Sequence, residues 1–146
     1  MIELAKVSTT ISAPVAVVFD YVTNMENYGD WFPGVVAIRS DNDLPHATVG
    51  KTYLETLQLP GGEYELSIEV IQSEAKGLFL TQGDLEGVLP QMTMRFSEEQ
   101  EGTCTFDLQY HSRNTTLSEE SEIIIALRKD LAERASTALV NLKNTF

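Results

Sequence analysis

The segment 118–146 constrains the fold more than any other part of the chain, because it contains neither glycine nor proline. Its apolar residues recur at the 3.6-residue spacing of an α-helix, which places them on one stripe about 100° wide. The stripe comprises Ile124, Leu127, Leu131, Ala135, Ala138, Leu142 and Phe146, with Leu139 at its edge. Residues 116–119 fit a capping box, and Ser118 is an alternative cap. We therefore expect one helix of about 40 Å that needs a long apolar partner.

The rest of the chain reads as strands and turns, interrupted by two short helices. The first helix is expected to be capped by Ser12 with Pro14 in its first turn, and the second to run through Tyr28–Trp31. Strands are predicted at 3–12, 35–40, 51–59, 63–73, 78–84, 91–97 and 103–112. An antiparallel sheet needs cover for its apolar face, and the C-terminal helix can supply it. The prediction is an α+β fold, with a curved antiparallel sheet of six to seven strands around that helix, in a single domain over residues 1–146.

Charge and composition restrict the partners. The net charge of −12 repels phosphate backbones and anionic lipid surfaces, so we expect no nucleic-acid partner. The sequence has no apolar run of 18 or more residues, and stable membrane insertion is therefore not expected. The one cysteine, Cys104, excludes an internal disulfide. Together with an N-terminus that lacks the layout of a secretory signal, it predicts a cytoplasmic location.

No familiar catalytic or metal-binding constellation is recognisable. His46 and His111 lie in unrelated contexts, and Asp107 is about 13 Å from His111 along one strand, too far for a dyad. There is no Gly-x-Ser-x-Gly elbow, and Gly61-Gly62 belongs to a hairpin rather than to a phosphate loop. We expect no metal and no cofactor, and these residues leave it open whether the chain is an enzyme.

Residues 11–33 resemble the opening of the START-related superfamily, also called SRPBCC. The pattern is a helix that starts at Ala13-Pro14, an aromatic residue near its middle, and Trp31 shortly before Pro33; the family often has Asp where this chain has Asn24. The superfamily includes lipid-transfer domains, birch-pollen-allergen-like proteins and polyketide cyclases or dehydrases. The order of elements also matches its helix-grip fold. The resemblance implies a cavity between the curved sheet and the C-terminal helix, used for apolar or amphipathic small molecules.

Several residues are candidates for the wall of such a cavity. Arg128 lies about 40° from the centre of the helical stripe, so its guanidinium must reach solvent along the sheet edge or meet a carboxylate or ligand. Glu55 is one candidate partner, although its strand does not alternate cleanly. Ala135 is small where a larger core residue is usual, which leaves space for a ligand. The predicted ligand-binding residues are Trp31, Tyr53, Met94, Phe106, Leu108, Tyr110, Leu127, Arg128, Leu131 and Ala135.

Three functions fit these observations. The first is binding or transport of a lipid, polyketide or isoprenoid-like molecule, with Tyr110 or Arg128 orienting its polar end. The second is a cyclase or dehydratase in which the cavity folds a reactive chain and a tyrosine or arginine stabilises an enolate. The third is an interaction module without a ligand. Ile125 and Val140, on the outer side of the helix, leave room for a homodimer or another partner.

Overall fold

The computed structural model describes all residues, 1–146, and contains seven strands and three α-helices. The strands are β1 (Ile2–Ile11), β2 (Val35–Ser40), β3 (Thr52–Leu59), β4 (Gly62–Glu74), β5 (Leu78–Gly83), β6 (Pro90–Ser97) and β7 (Cys104–Ser112). The helices are α1 (Val15–Thr23), α2 (Tyr28–Trp31) and α3 (Glu122–Thr145), with a 3-10 turn at Met25–Asn27. All strands pair antiparallel in the order β1-β7-β6-β5-β4-β3-β2. The predicted α+β helix-grip fold is confirmed.

The sheet curves because its long strands are interrupted by bulges. The register shifts between Glu3 and Ala5 in β1, between Val35 and Ala37 in β2, and between Val70 and Gln72 in β4. A bulge inserts an extra residue, bends its strand and increases the local twist. Along β7, buried and partly exposed residues alternate strictly, so every second side chain points to the concave face. The curved sheet thereby forms an apolar trough that α3 crosses.

The long helix begins later than the sequence predicts. It starts at Glu122, and the Ser121 hydroxyl accepts a hydrogen bond from the N–H of Ile124 at 3.4 Å. The predicted capping box at 116–119 is wrong, because the Asn114 side chain accepts from both the N–H and the hydroxyl of Thr116 and holds this stretch in a turn. Likewise α1 begins after Pro14, with no side-chain cap from Ser12. None of the three helices is both long enough and apolar enough to cross a bilayer.

The apolar stripe of α3 is not buried evenly. Ile124 near the start of the helix and Ala135, Ala138 and Leu142 in its second half are fully buried. Between them, Leu127 and Leu131 are only partly buried, although they belong to the same stripe. The helix is therefore covered at both ends of the stripe and leaves a gap beneath its middle.

We expect Leu142→Ala to lower the free energy of unfolding by about 2–5 kcal/mol, because it removes a fully buried side chain from the closed end of the stripe. The matched substitution Val140→Ala, on the exposed side of the same helix turn, should cost less than about 0.5 kcal/mol. Urea unfolding of both variants measures the difference. Equal losses would mean that α3 presents a different face to the sheet.

Candidate functional site

The gap beneath the middle of α3 is an apolar cavity of about 100 Å³. Of its 15 lining residues, 11 are hydrophobic, so the wall suits an apolar molecule. Partly exposed leucines of α3 and β3 form its rim, and the loop after β5 contributes a further side. The lining residues are Leu4, Tyr28, Phe32, Glu55, Leu57, Leu59, Leu66, Leu85, Val88, Pro90, Tyr110, Leu127, Asp130, Leu131 and Arg134.

A second compartment, of about 50 Å³, adjoins this cavity on the side of the sheet. Both compartments are lined by Tyr28, Glu55, Leu66, Pro90 and Tyr110, which therefore stand between them. The second compartment adds Met25, Ile68, Thr81, Gly83 and Met92 to the wall. A molecule that enters from the rim would meet the polar groups of Glu55 and the two tyrosines at the boundary.

Glu55 is a buried carboxyl group without a partner in the protein. On β3 the side chains of Tyr53, Glu55 and Leu57 share the concave face, and Glu55 is only 4% exposed. Its carboxyl group forms no hydrogen bond and no ion pair with any other residue. Because burial disfavours the charged form, the pKa of Glu55 is raised to about 7. Near neutral pH the group therefore exists both as a carboxylic acid and as a carboxylate.

Two tyrosine hydroxyls form a hydrogen bond beside this carboxyl group. Tyr28 comes from α2 and Tyr110 from β7, and both residues are buried. Burial raises the pKa of each phenol well above its usual range, so both stay neutral at physiological pH. The Tyr28 ring contacts the Trp31 ring edge-on, with 5.2 Å between the centroids. One of the two hydroxyl hydrogens forms the hydrogen bond between the tyrosines, so the other hydroxyl can donate its hydrogen to another acceptor.

The rim also carries an ion pair. Arg134 Nε lies 3.1 Å from Asp130 Oδ2, and both side chains are mostly shielded from solvent. Arg134 Nη1 also donates to the Pro33 carbonyl oxygen at 3.3 Å. The guanidinium lies directly over Gly34, where φ is +93° and an added Cβ would approach Nη1 to 1.6 Å. Gly34 thus allows both the turn after α2 and the position of the arginine at the rim.

The structure brings three of the predicted ligand-binding residues to the cavity, namely Tyr110, Leu127 and Leu131. Five others are fully or almost fully buried in the surrounding core and do not line it: Trp31, Met94, Phe106, Leu108 and Ala135. Ala138, the next small residue of the helical stripe, is buried in the same way. The alanines lie where α3 is covered by its neighbours rather than over the gap.

Arg128 and Tyr53 lie away from the cavity. The Arg128 guanidinium donates to the Glu119 carboxylate at 2.9 Å and to the Glu3 carbonyl oxygen at 3.0 Å, so it reaches the sheet edge and does not meet Glu55. Tyr53 is fully buried, and its hydroxyl lies 2.5 Å from Nδ1 of His46. Tyr53 therefore anchors the loop between β2 and β3.

Sequence reasoning missed Tyr28, Asp130 and Arg134 as cavity residues, and left the direction of Glu55 unresolved. The signal for Glu55 was present, because Tyr53, Glu55, Leu57 and Leu59 occupy alternate positions and share one face. Leu54, partly buried on the other face, obscured it. No group of three or more His, Cys, Asp or Glu side chains is placed to hold a metal ion.

We expect the stability of the protein to fall as the pH rises through the pKa of Glu55. That pKa, about 7, exceeds the ordinary value of 4.5, so the folded state holds this proton more tightly than the unfolded state. The protonated Glu55 contributes fully to the free energy of unfolding below about pH 4.5, and this contribution is lost above about pH 7. The free energy of unfolding should therefore fall by on the order of 3 kcal/mol between these pH values. Glu55→Gln should therefore be more stable than the wild type at pH 8, and the difference should shrink towards pH 5.

Urea unfolding across this pH range tests the expectation. Glu63→Gln, which removes an exposed carboxylate from the adjacent strand β4, is the matched control and should follow the wild-type curve. Parallel stability curves for the wild type and Glu55→Gln would show that Glu55 titrates normally.

The fold is similar to those of several solved structures. The START superfamily protein from Mycobacterium smegmatis superposes with a TM-score of 0.74 at 10% identity, over 94% of each chain. The di-domain ARO/CYC StfQ from the steffimycin biosynthetic pathway gives 0.71 at 12% identity, over 98% of this chain and 50% of its own. A protein from Thermobifida fusca gives 0.74 at 17% identity, over 98% of this chain and 91% of its own. At these identities the likeness shows the fold alone.

Sequence comparison identifies the family. No curated protein matches the sequence. The family model described as "Polyketide cyclase / dehydrase and lipid transport" matches residues 4–146. This span includes all three helices and every strand, apart from the first two residues of β1. The chain therefore belongs to the polyketide cyclase/dehydrase and lipid transport family.

Proposed function

We propose that the chain binds a hydrophobic small molecule in the cavity between the sheet and α3. The observation that carries the proposal is the apolar wall of this cavity, which lies under the part of α3 where Leu127 and Leu131 are only partly buried. Apolar surface that a ligand transfers from water to this wall contributes about 25 cal/mol per Å². The description of the family, which names lipid transport and polyketide conversion, supports the same class of ligand.

The dimensions of the cavity restrict the ligand. The two compartments, of about 100 and 50 Å³, together approach the roughly 150 Å³ of an engineered apolar cavity that binds benzene. Sites for drug-sized ligands usually measure about 300–1,000 Å³. One ring or the end of a chain therefore fits beside the side chains as they stand. A lipid or polyketide would extend past the rim or displace Leu127 and Leu131.

Binding of an uncharged fluorescent probe, N-phenyl-1-naphthylamine, tests the proposal. Leu131→Trp should weaken binding at least about tenfold, because the larger side chain occupies the rim of the cavity. Ala132→Trp is the matched control, since it places the same side chain at the neighbouring exposed position. Thermal unfolding should show that both variants are folded. This probe is larger than the cavity and must extend past the rim, so failure of the wild type to bind both this probe and the single-ring molecule ethylbenzene would contradict the proposal.

The second candidate is an enzyme of the cyclase or dehydratase type that uses the same cavity. It is favoured by Glu55, whose pKa of about 7 lets it give or take a proton near neutral pH, and by the neutral tyrosine pair beside it. Those hydroxyls could stabilise the negative charge that develops on a ligand oxygen. The first candidate needs only the apolar wall, whereas this one needs the carboxyl group to act on a bound ketone.

Hydrogen–deuterium exchange distinguishes the two candidates. An enzyme of this type should accelerate exchange of the benzylic protons of phenylacetone in D₂O, followed by NMR. Glu55→Gln should reduce the acceleration at least about tenfold, because an amide cannot take a proton from the ligand near neutral pH as a carboxylate can. Glu63→Gln should keep the acceleration. A wild-type protein that binds phenylacetone without accelerating exchange would be a carrier.

A further inference from the structure

Glu55 has no hydrogen-bond partner in the protein, and its carboxyl group retains contact with the space of the cavity. Buried polar groups in folded proteins almost always form hydrogen bonds, and a buried carboxyl group without one is costly. Glu55 lies in the middle of β3, paired with Ile38 on one side and Leu66 on the other, and its carboxyl group lines both compartments. Its unused hydrogen-bonding capacity therefore faces the space proposed for the ligand.

The groups around Glu55 are either neutral or already engaged. The tyrosines contributed by α2 and β7 bond to each other, and β4 and β6 contribute the apolar residues Leu66 and Pro90. The charged residues of α3 at the cavity, Asp130 and Arg134, form an ion pair, and Arg134 also donates to Pro33. No unpaired Lys or Arg side chain thus lies beside Glu55 to compensate a negative charge there. A ligand carboxylate in this position would lie next to the Glu55 carboxyl group, with no cation to bind it.

Two O–H donors of the cluster have no acceptor in the protein. As a carboxylic acid, Glu55 offers one O–H, and the tyrosine pair offers the one O–H that its mutual bond does not use. A carbonyl oxygen has two lone pairs and can accept both. A tyrosine and a protonated carboxylic acid in an apolar site form a recognised means of holding a carbonyl oxygen. A hydrocarbon would leave both donors unsatisfied, and an anion would be repelled whenever Glu55 loses its proton.

We propose that Glu55, as a carboxylic acid, and the Tyr28–Tyr110 pair bind the carbonyl oxygen of an uncharged ligand, so that the site selects ketones over free carboxylic acids. This inference rests on the proposed binding function and specifies the polar end of its ligand. Because the pKa of Glu55 is about 7, the donor is present at pH 6 and largely lost at pH 8.5. The phenols stay neutral throughout this range, so the preference for a ketone should decline with Glu55 alone.

Three single-ring probes of similar size test the inference: ethylbenzene, acetophenone and benzoate. Their dissociation constants are measured by NMR titration of the full chain at pH 6 and pH 8.5. The affinity of acetophenone relative to ethylbenzene should fall about tenfold between the two pH values. Benzoate should bind more weakly than acetophenone at both. Ethylbenzene should bind equally well at both, because it makes no hydrogen bond.

Two variants separate the role of Glu55 from general effects of pH. Glu55→Leu should bind ethylbenzene and lose the relative preference for acetophenone at pH 6. Glu55→Gln, whose amide still donates, should keep the preference and lose its pH dependence. Glu63→Gln should behave as the wild type. Urea unfolding confirms that each variant is folded.

The outcomes distinguish the inference from the function on which it rests. If none of the probes binds to the wild type, the proposed cavity function fails and the inference fails with it. If ethylbenzene binds but the ketone preference is absent, unchanged in Glu55→Leu, or still pH-dependent in Glu55→Gln, the inference is overturned and the binding function stands. Benzoate binding as tight as that of acetophenone would also overturn it.

Discussion

The structure depends on the way one long helix covers one curved sheet. The sheet presents a concave apolar face, and α3 is the only element long enough to cross it. A helix of 24 residues does not follow the curvature of the sheet, so it can pack closely near its ends and leave space below its middle. Ile124 and Leu142 are accordingly buried, whereas Leu127 and Leu131 between them are partly exposed. The cavity is thus a geometric consequence of the bulges that curve the sheet.

The polar groups of the cavity follow from the same curvature. Side chains from α2, β3 and β7 converge because the sheet bends those elements towards one another around the gap. In a flat sheet Glu55 and Tyr110 would face the same side without approaching a common ligand. A buried carboxyl group with no protein partner lowers the free energy of unfolding. Glu55 lies at the boundary between the two compartments, where the proposed ligand would supply the missing partner.

The sequence predicted the fold better than the site. Period-2 alternation placed the boundaries of every strand to within one residue, because each strand's pattern is local. The start of α3 was placed too early, since the side chain of Asn114 competes with the capping pattern beyond it. The stripe correctly included Leu127, Leu131 and Ala135 on one face. It could not show which of them lie over the gap, because this depends on where bulges bend the distant strands.

The contacts of Arg134 and Asn141 have a consequence for the rate at which a ligand could exchange. Arg134 donates to the Pro33 carbonyl oxygen and Asn141 to that of Trp31, so α3 is held at two points, about two turns apart, to the end of α2 and the residues just after it. Lifting the helix to widen the cavity would break both bonds and uncover the core beneath. Rotating the half-exposed leucines at the rim would break neither. Side-chain rotation occurs in picoseconds to nanoseconds and collective helix motion in about microseconds to milliseconds, so small molecules should pass the rim without waiting for the fold to open.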